Sequence, residues 1–262
     1  MEIFEANSEL NAFAHAYLSQ RMDFLFQHVA QVAVSAKAFA PLPHTSGTAA
    51  LVRTAERHLL VTCRHVYEAA MEALRDQEEG ARWLLYGNGG PFPPLDITNW
   101  PLIDNGGRQL DLVTLACESP CELRVRNKQF WIKPSVRARA GVLAVAFGFP
   151  TERRFKDTNG LRTRLRKIGG EVTSVSDERI LVVDQEGARV HLRAPDSSGL
   201  SENLDHGGMS GGAVFLFDNK YLHPELGGFL YETTSGARAH ILAAHADFIL
   251  PDGRFDHGRI SW

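Results

Sequence analysis

Hydrophobic positions change their period several times along this chain. From Ser8 to about Met22, Leu10, Phe13, Ala14, Tyr17 and Leu18 recur at three- and four-residue steps, which predicts a leading helix capped by Ser8. From Phe24 onward short apolar runs dominate, bounded by Gly, Pro, Ser and Thr. They predict strands at Phe24–Phe26, Val29–Val34, Ala49–Val52, His58–Val61, Trp83–Tyr86 and Leu112–Ala116. Further strands are expected at Val142–Phe147, Val172–Val175, Ile180–Val183, Val190–Leu192, Ala213–Phe217, Leu226–Tyr231 and Ala239–Ala243, with an apolar strand at Phe248–Leu250. A second helix is expected at Val66–Glu79, and the polar Gly- and Pro-rich stretch Gly87–Gly107 reads as surface loop. Many short strands at a spacing of about ten residues, with little helix between them, point to antiparallel barrels or sandwiches and away from a parallel α/β sheet. The apolar pattern breaks between Trp131 and Gly141, a linker that halves the chain.

Composition narrows this only slightly. The chain has 262 residues, 44% hydrophobic and 23% charged, so it buries a sizeable core and is neither disordered nor a disulfide-stapled miniprotein. A net charge of −3 supplies no general attraction to nucleic acid or anionic membrane. Three cysteines, Cys63, Cys117 and Cys121, cannot all pair, no window reaches the length of a membrane-spanning helix, and the first residues lack a signal-peptide pattern. The expectation is a cytoplasmic protein with reduced thiols.

Three segments carry candidate chemistry. In Asp205-His206-Gly207-Gly208-Met209-Ser210-Gly211-Gly212 a serine is flanked by glycines that permit a tight turn with its N–H groups converging on one spot. In His58-Leu59-Leu60-Val61-Thr62-Cys63-Arg64-His65-Val66 an apolar strand delivers a histidine to a helix start, where its imidazole can accept a proton near neutral pH. In Leu110-Asp111-Leu112-Val113-Thr114-Leu115 a carboxylate heads an alternating strand and needs a partner if buried.

In this order, His65, Asp111 and Ser210 resemble the motifs of the chymotrypsin-like (trypsin-like) serine peptidases, in the form found in bacterial intracellular members. Ser46-Gly47-Thr48, Phe147-Gly148-Phe149-Pro150, Gly170-Glu171-Val172-Thr173-Ser174-Val175 and Gly227-Gly228-Phe229-Leu230 are similar to secondary motifs of that family. The resemblance implies an all-β fold of two antiparallel Greek-key barrels. A helical extension would span residues 1–23, a barrel carrying His65 and Asp111 residues 24–134, and a barrel carrying Ser210 residues 135–262. It implies Ser210 as nucleophile, His65 as general base and acid, Asp111 orienting it, and the backbone of Gly208, Met209 and Ser210 as oxyanion hole. No metal or cofactor is required. Substrate-contacting positions would be Leu204 or Asp205 at the specificity pocket and Gly228, Phe229 and Leu230 along a substrate-pairing strand. The expected partners are a protein or peptide substrate and a regulatory protein, with neither nucleic acid nor membrane. A protease-fold module that binds peptides without turnover is the alternative reading.

Two departures from secreted relatives stand out: Met209 replaces the aspartate that receives a newly cut N-terminus, and Val66 replaces a disulfide cysteine. Cys63, two residues from His65, reads as a small core residue ahead of an alternative nucleophile. Cys117 and Cys121 form at most half a metal site, and His240, His245, Asp247, Asp252 and His257 match no metal spacing and read as solvated polar positions. Arg162, Arg164 and Arg166 alternate as on one face of a strand, either solvated or docking an acidic partner.

Overall fold

The structure is a computed structural model that describes residues 22–37, 40–76, 80–87, 93–107, 110–132, 135–150, 154–157, 160–163, 165–177, 179–183, 208–217, 223–233 and 240–259. Most of the expected leading helix, the Val190–Leu192 strand, Arg164, Leu204 and Asp205 lie outside these residues.

After a helical turn at residues 22–26, the first half runs β1 (Val29–Lys37), β2 (Ala40–Arg53), β3 (His58–Cys63), α1 (Arg64–Asp76), β4 (Arg82–Tyr86), β5 (Leu95–Asp96), β6 (Leu102–Asp104), β7 (Leu112–Ala116) and α2 (Pro120–Val125). The second half runs β8 (Leu143–Gly148), β9 (Arg154–Asp157), β10 (Gly160–Thr163), β11 (Arg166–Val175), β12 (Arg179–Val183), β13 (Ala213–Phe217), β14 (Pro224–Thr233) and β15 (His240–His245), then a 3-10 turn at Ala246–Phe248.

The named strands pair antiparallel throughout. The second half closes a six-stranded barrel in the order β11-β12-β15-β14-β13-β8, and the first forms a seven-stranded sheet in the order β5-β4-β1-β2-β3-β7-β6. Both share one plan. In the first half the fifth position is split between β5, which pairs with β4, and β6, which pairs with β7. The chain between them spans the gap: Ile97 N–H donates to Trp83 O at 2.9 Å, and Ala116 N–H donates to Pro101 O at 2.9 Å. With β5 and β6 counted as one strand, each half orders its strands 1-2-3-6-5-4, a Greek key, and the two-barrel fold expected from the sequence stands.

One apolar cluster joins the halves, running from Leu25, Val61 and Trp83 to Phe147, Phe215 and Phe229. At the seam Trp131 lies 5.1 Å from Phe215 and 5.2 Å from His28, ring centre to ring centre. The C-terminal segment returns to the first sheet: Thr114 Oγ1 donates to Gly253 O at 2.7 Å, and Phe255 N–H donates to Asp104 Oδ2 at 3.0 Å.

Several expectations fail locally. Phe24–Phe26 is helical because Leu25 packs inward while Phe24 stays exposed, a one-sided pattern that an isolated apolar triplet cannot reveal. The Gly87–Gly107 loop carries β5 and β6, held by buried Leu95, Ile97 and Trp100. In Phe248–Leu250, Phe248 ends the 3-10 turn and Ile249 makes a single bridge to Phe255. Arg162 lies in β10, which ends at Thr163, and Arg166 opens β11, so these two arginines do not share a strand.

Burial against the Trp131–Phe215 seam lowers the His28 imidazole to about 4. The unfolded chain therefore binds a proton that the native chain refuses, so stability present above about pH 6.5 is lost as pH falls toward 4. The difference corresponds to about 3 kcal/mol. Urea unfolding at pH 7 and pH 4.5 is expected to show a steeper loss of stability in the wild type than in His28→Gln, which keeps a hydrogen-bond donor but does not titrate; parallel losses would contradict this origin.

Candidate active site

His65 sits in the first turn of α1, immediately after the buried strand β3. A helix start exposes unpaired N–H groups, and Asp111, at the head of β7, supplies their acceptors. Arg64 N–H donates to Asp111 O at 3.1 Å, and His65 N–H donates to Asp111 Oδ1 at 3.0 Å. The same carboxylate meets His65 Nδ1 through Oδ2 at 2.5 Å. One aspartate thus fixes both the backbone and the ring of His65, and the positive end of the helix favours its negative charge. A neutral ring making this contact carries its proton on Nδ1 and presents the Nε2 lone pair outward; the side chain is 52% exposed.

Arg64 closes the other side of the carboxylate. Its Nη1 donates to Gly107 O at 2.6 Å, and its Nε lies 4.0 Å from Asp111 Oδ1 and 3.8 Å from Glu68. Nothing in the sequence patterns singled out this guanidinium.

Ser210 lies in a turn in which the carbonyls of residues 208–210 are engaged. Gly208 O accepts from Thr48 Oγ1 at 2.8 Å, Met209 O from Gly212 N–H at 3.0 Å, and Ser210 O from Thr48 N–H at 3.0 Å. The N–H groups of Gly208, Met209 and Ser210 have no hydrogen-bond partner among the described residues. Glycine is compulsory in the turn that follows. Gly211 has φ +90° and a Cβ there would stand 2.1 Å from Thr48 O, while one at Gly212 would stand 1.9 Å from Phe147 O. Met209 is fully buried in the second barrel, with Gly148 packed on its Cα and Cβ.

The serine loop and the end of β3, two residues before His65, meet at one carbonyl. Leu230 O accepts from Gly211 N–H at 2.7 Å and from the Cys63 thiol at 3.3 Å. The Cys63 sulfur, a His65 ring nitrogen and an Asp111 oxygen lie within 4.8 Å of one another. Cys63 is fully buried, and desolvation, then the nearby Asp111 charge, push its thiol well up, which disfavours a free thiolate nucleophile.

Gly228, Phe229 and Leu230 are brought close to the serine loop. Gly228 and Phe229 are paired with β13 on one side and β15 on the other, and Leu230 N–H donates to Gly212 O at 2.8 Å. The backbone of these positions is consumed within the barrel. Beyond them, Glu232 and Thr233 pair with Leu242 and Ile241 of β15, with Tyr231 at a register shift between them and Leu230. His245, expected in solvent, is buried, its Nε2 bound to Ser176 O at 3.0 Å, and burial lowers its pKa. Cys117, which burial raises to about 11, and Cys121 form no cluster with other metal-ligating side chains among the described residues.

No protein-family model and no curated protein matches the chain. Among solved structures it is similar to a thermostable serine protease, AL20, from an extremophilic microorganism. That match has 14% identity and a TM-score of 0.48, covering 84% of this chain and 91% of the other. It is also similar to the serine protease domain of the Sesbania mosaic virus polyprotein, with 11% identity and a TM-score of 0.46, covering 84% of this chain and 89% of the other. No helix among the described residues is long and apolar enough to cross a membrane.

Thr48 Oγ1 also accepts from Phe149 N–H at 2.9 Å, so Thr48→Val strands a buried carbonyl and a buried N–H together. The expected loss is about 2–4 kcal/mol in denaturant unfolding, largely restored in Thr48→Ser; an unchanged midpoint in Thr48→Val would refute the role assigned to this hydroxyl.

Proposed function

We propose that the chain is a serine endopeptidase, working through an acyl-enzyme. The observation that carries this reading is the polarity of the Ser210 turn: the carbonyls of Gly208, Met209 and Ser210 are bonded, their N–H groups have no partner among the described residues, and Leu230 O links the turn to Cys63, two residues before the Asp111-paired His65. Open N–H groups converging beside a nucleophile suit an oxyanion formed during attack on a carbonyl.

In this mechanism His65 Nε2 takes the Ser210 hydroxyl proton as Oγ attacks the peptide carbonyl, and Asp111 holds the ring and stabilises the imidazolium that forms. The N–H groups of Gly208 and Ser210 receive the oxyanion. His65 then returns the proton to the leaving amine, and water repeats the sequence on the acyl-enzyme.

The proposal includes regulated action inside the cell. It is supported by the absence of a carboxylate before Ser210, where buried Met209 leaves nothing to receive a freshly cut N-terminus, and by three free cysteines. Control would then come from a partner or from the site itself.

A fluorophosphonate probe is expected to label the wild type on Ser210 and to leave Ser210→Ala unlabelled. Asp111→Asn is expected to lower kcat by about four orders of magnitude with little change in KM. An unlabelled wild type that still binds peptides would replace this reading with the non-catalytic binding module.

A further inference from the structure

Cys63 is the polar group at this site for which the proposed hydrolysis has no use. It lies at the end of β3 with its sulfur beside the two groups that would activate the serine, and together they present one sulfur, one nitrogen and one oxygen donor within 4.8 Å of one another. We propose that Cys63, His65 and Asp111 form an inhibitory site for a borderline-soft divalent cation of the zinc type.

The donor set fits that class of ion. Thiolate, imidazole and carboxylate are the ligands zinc takes in tetrahedral sites, at about 2.3 Å for sulfur and about 2.0–2.2 Å for nitrogen and oxygen, which places donors roughly 3.3–3.8 Å apart. Reaching that spacing needs the His65–Asp111 contact to open from 2.5 Å by about an ångström, a movement the half-exposed His65 ring can make by side-chain rotation. The charges match as well: a thiolate and a carboxylate offset a divalent ion in a partly buried pocket. Arg64, 4.0 Å from Asp111 Oδ1, opposes the cation and restricts the site to ions that bind sulfur strongly.

Binding balances as follows. The cation takes His65 Nδ1, whose proton moves to Nε2 by tautomer exchange, and takes Cys63 Sγ, whose proton is released to solvent; Asp111 gives up its hydrogen bond for a metal bond. One proton leaves per ion. The Nε2 lone pair needed to deprotonate Ser210 is then gone, and this inhibitory consequence rests on the peptidase reading, whereas the binding does not.

The test uses the full chain carrying Ser210→Ala, titrated with zinc by calorimetry and with cobalt(II) by absorption. The expected results are one equivalent bound, release of about one proton, a thiolate-to-cobalt charge-transfer band, and at least about 100-fold weaker binding in Cys63→Ala and in the exposed-site variant His65→Ala. In the wild type, zinc should suppress fluorophosphonate labelling and a chelator should restore it. Cobalt binding without the thiolate band, or equal affinity in both variants, would overturn the site whether or not the chain cleaves peptides. The band in a chain that labels with no probe would support the site and count against the peptidase instead.

Discussion

Thr48 is the residue on which the arrangement depends. It is fully buried on β2, yet each of its polar groups is used across the seam or toward β3. Its N–H holds Ser210 O, its hydroxyl bridges Gly208 O and Phe149 N–H, and its carbonyl accepts from Thr62 Oγ1 at 2.7 Å. A buried polar group is costly unless paired, so these bonds admit essentially one docking of the serine loop on the first sheet. The neighbouring Gly47 belongs to the same constraint. A Cβ there would lie 2.6 Å from Val66 Cγ1, so its absence lets the helix that carries His65 settle against β2. Two adjacent residues thus position both halves of the site, one by hydrogen bonds and the other by having no side chain.

Asp111 plays the corresponding part for the imidazole. It caps a helix, pairs with a ring nitrogen and faces a guanidinium, so its charge is balanced locally although the chain as a whole is nearly neutral. The helix start, the ring and the carboxylate are thus joined by hydrogen bonds in the resting chain. Leu230 O completes the design by receiving Gly211 from the serine side and Cys63 from the histidine side.

Much of this was legible in the sequence, and the limits have physical reasons. β3, β4, β7, β8 and β13 are buried along nearly their whole length and read as plain apolar runs, so their existence followed from pattern alone. The Gly-rich serine loop and the Ser46-Gly47-Thr48 motif were visible because only glycine and a small hydroxyl residue fit those contacts. The short β5 and β6 were hidden: two or three residues show no period, and what fixes them is the distant pairing with β4 and β7. His245 looked solvated because burial of a histidine depends on a tertiary partner, here Ser176 O. That Gly228 and Phe229 are paired on both sides, by β13 and β15, was hidden because a motif identifies a strand without telling which neighbours its edges find.

The central claim is that the Ser210 loop is built to hold an oxyanion within reach of His65. Its most direct test is a crystal structure of the chain after reaction with a peptidyl phosphonate. The account predicts a bond from phosphorus to Ser210 Oγ and a phosphoryl oxygen about 2.7–3.1 Å from the N–H groups of Gly208 and Ser210, with the His65–Asp111 contact intact. An adduct on another residue, or a phosphoryl oxygen turned away from both N–H groups, would contradict it.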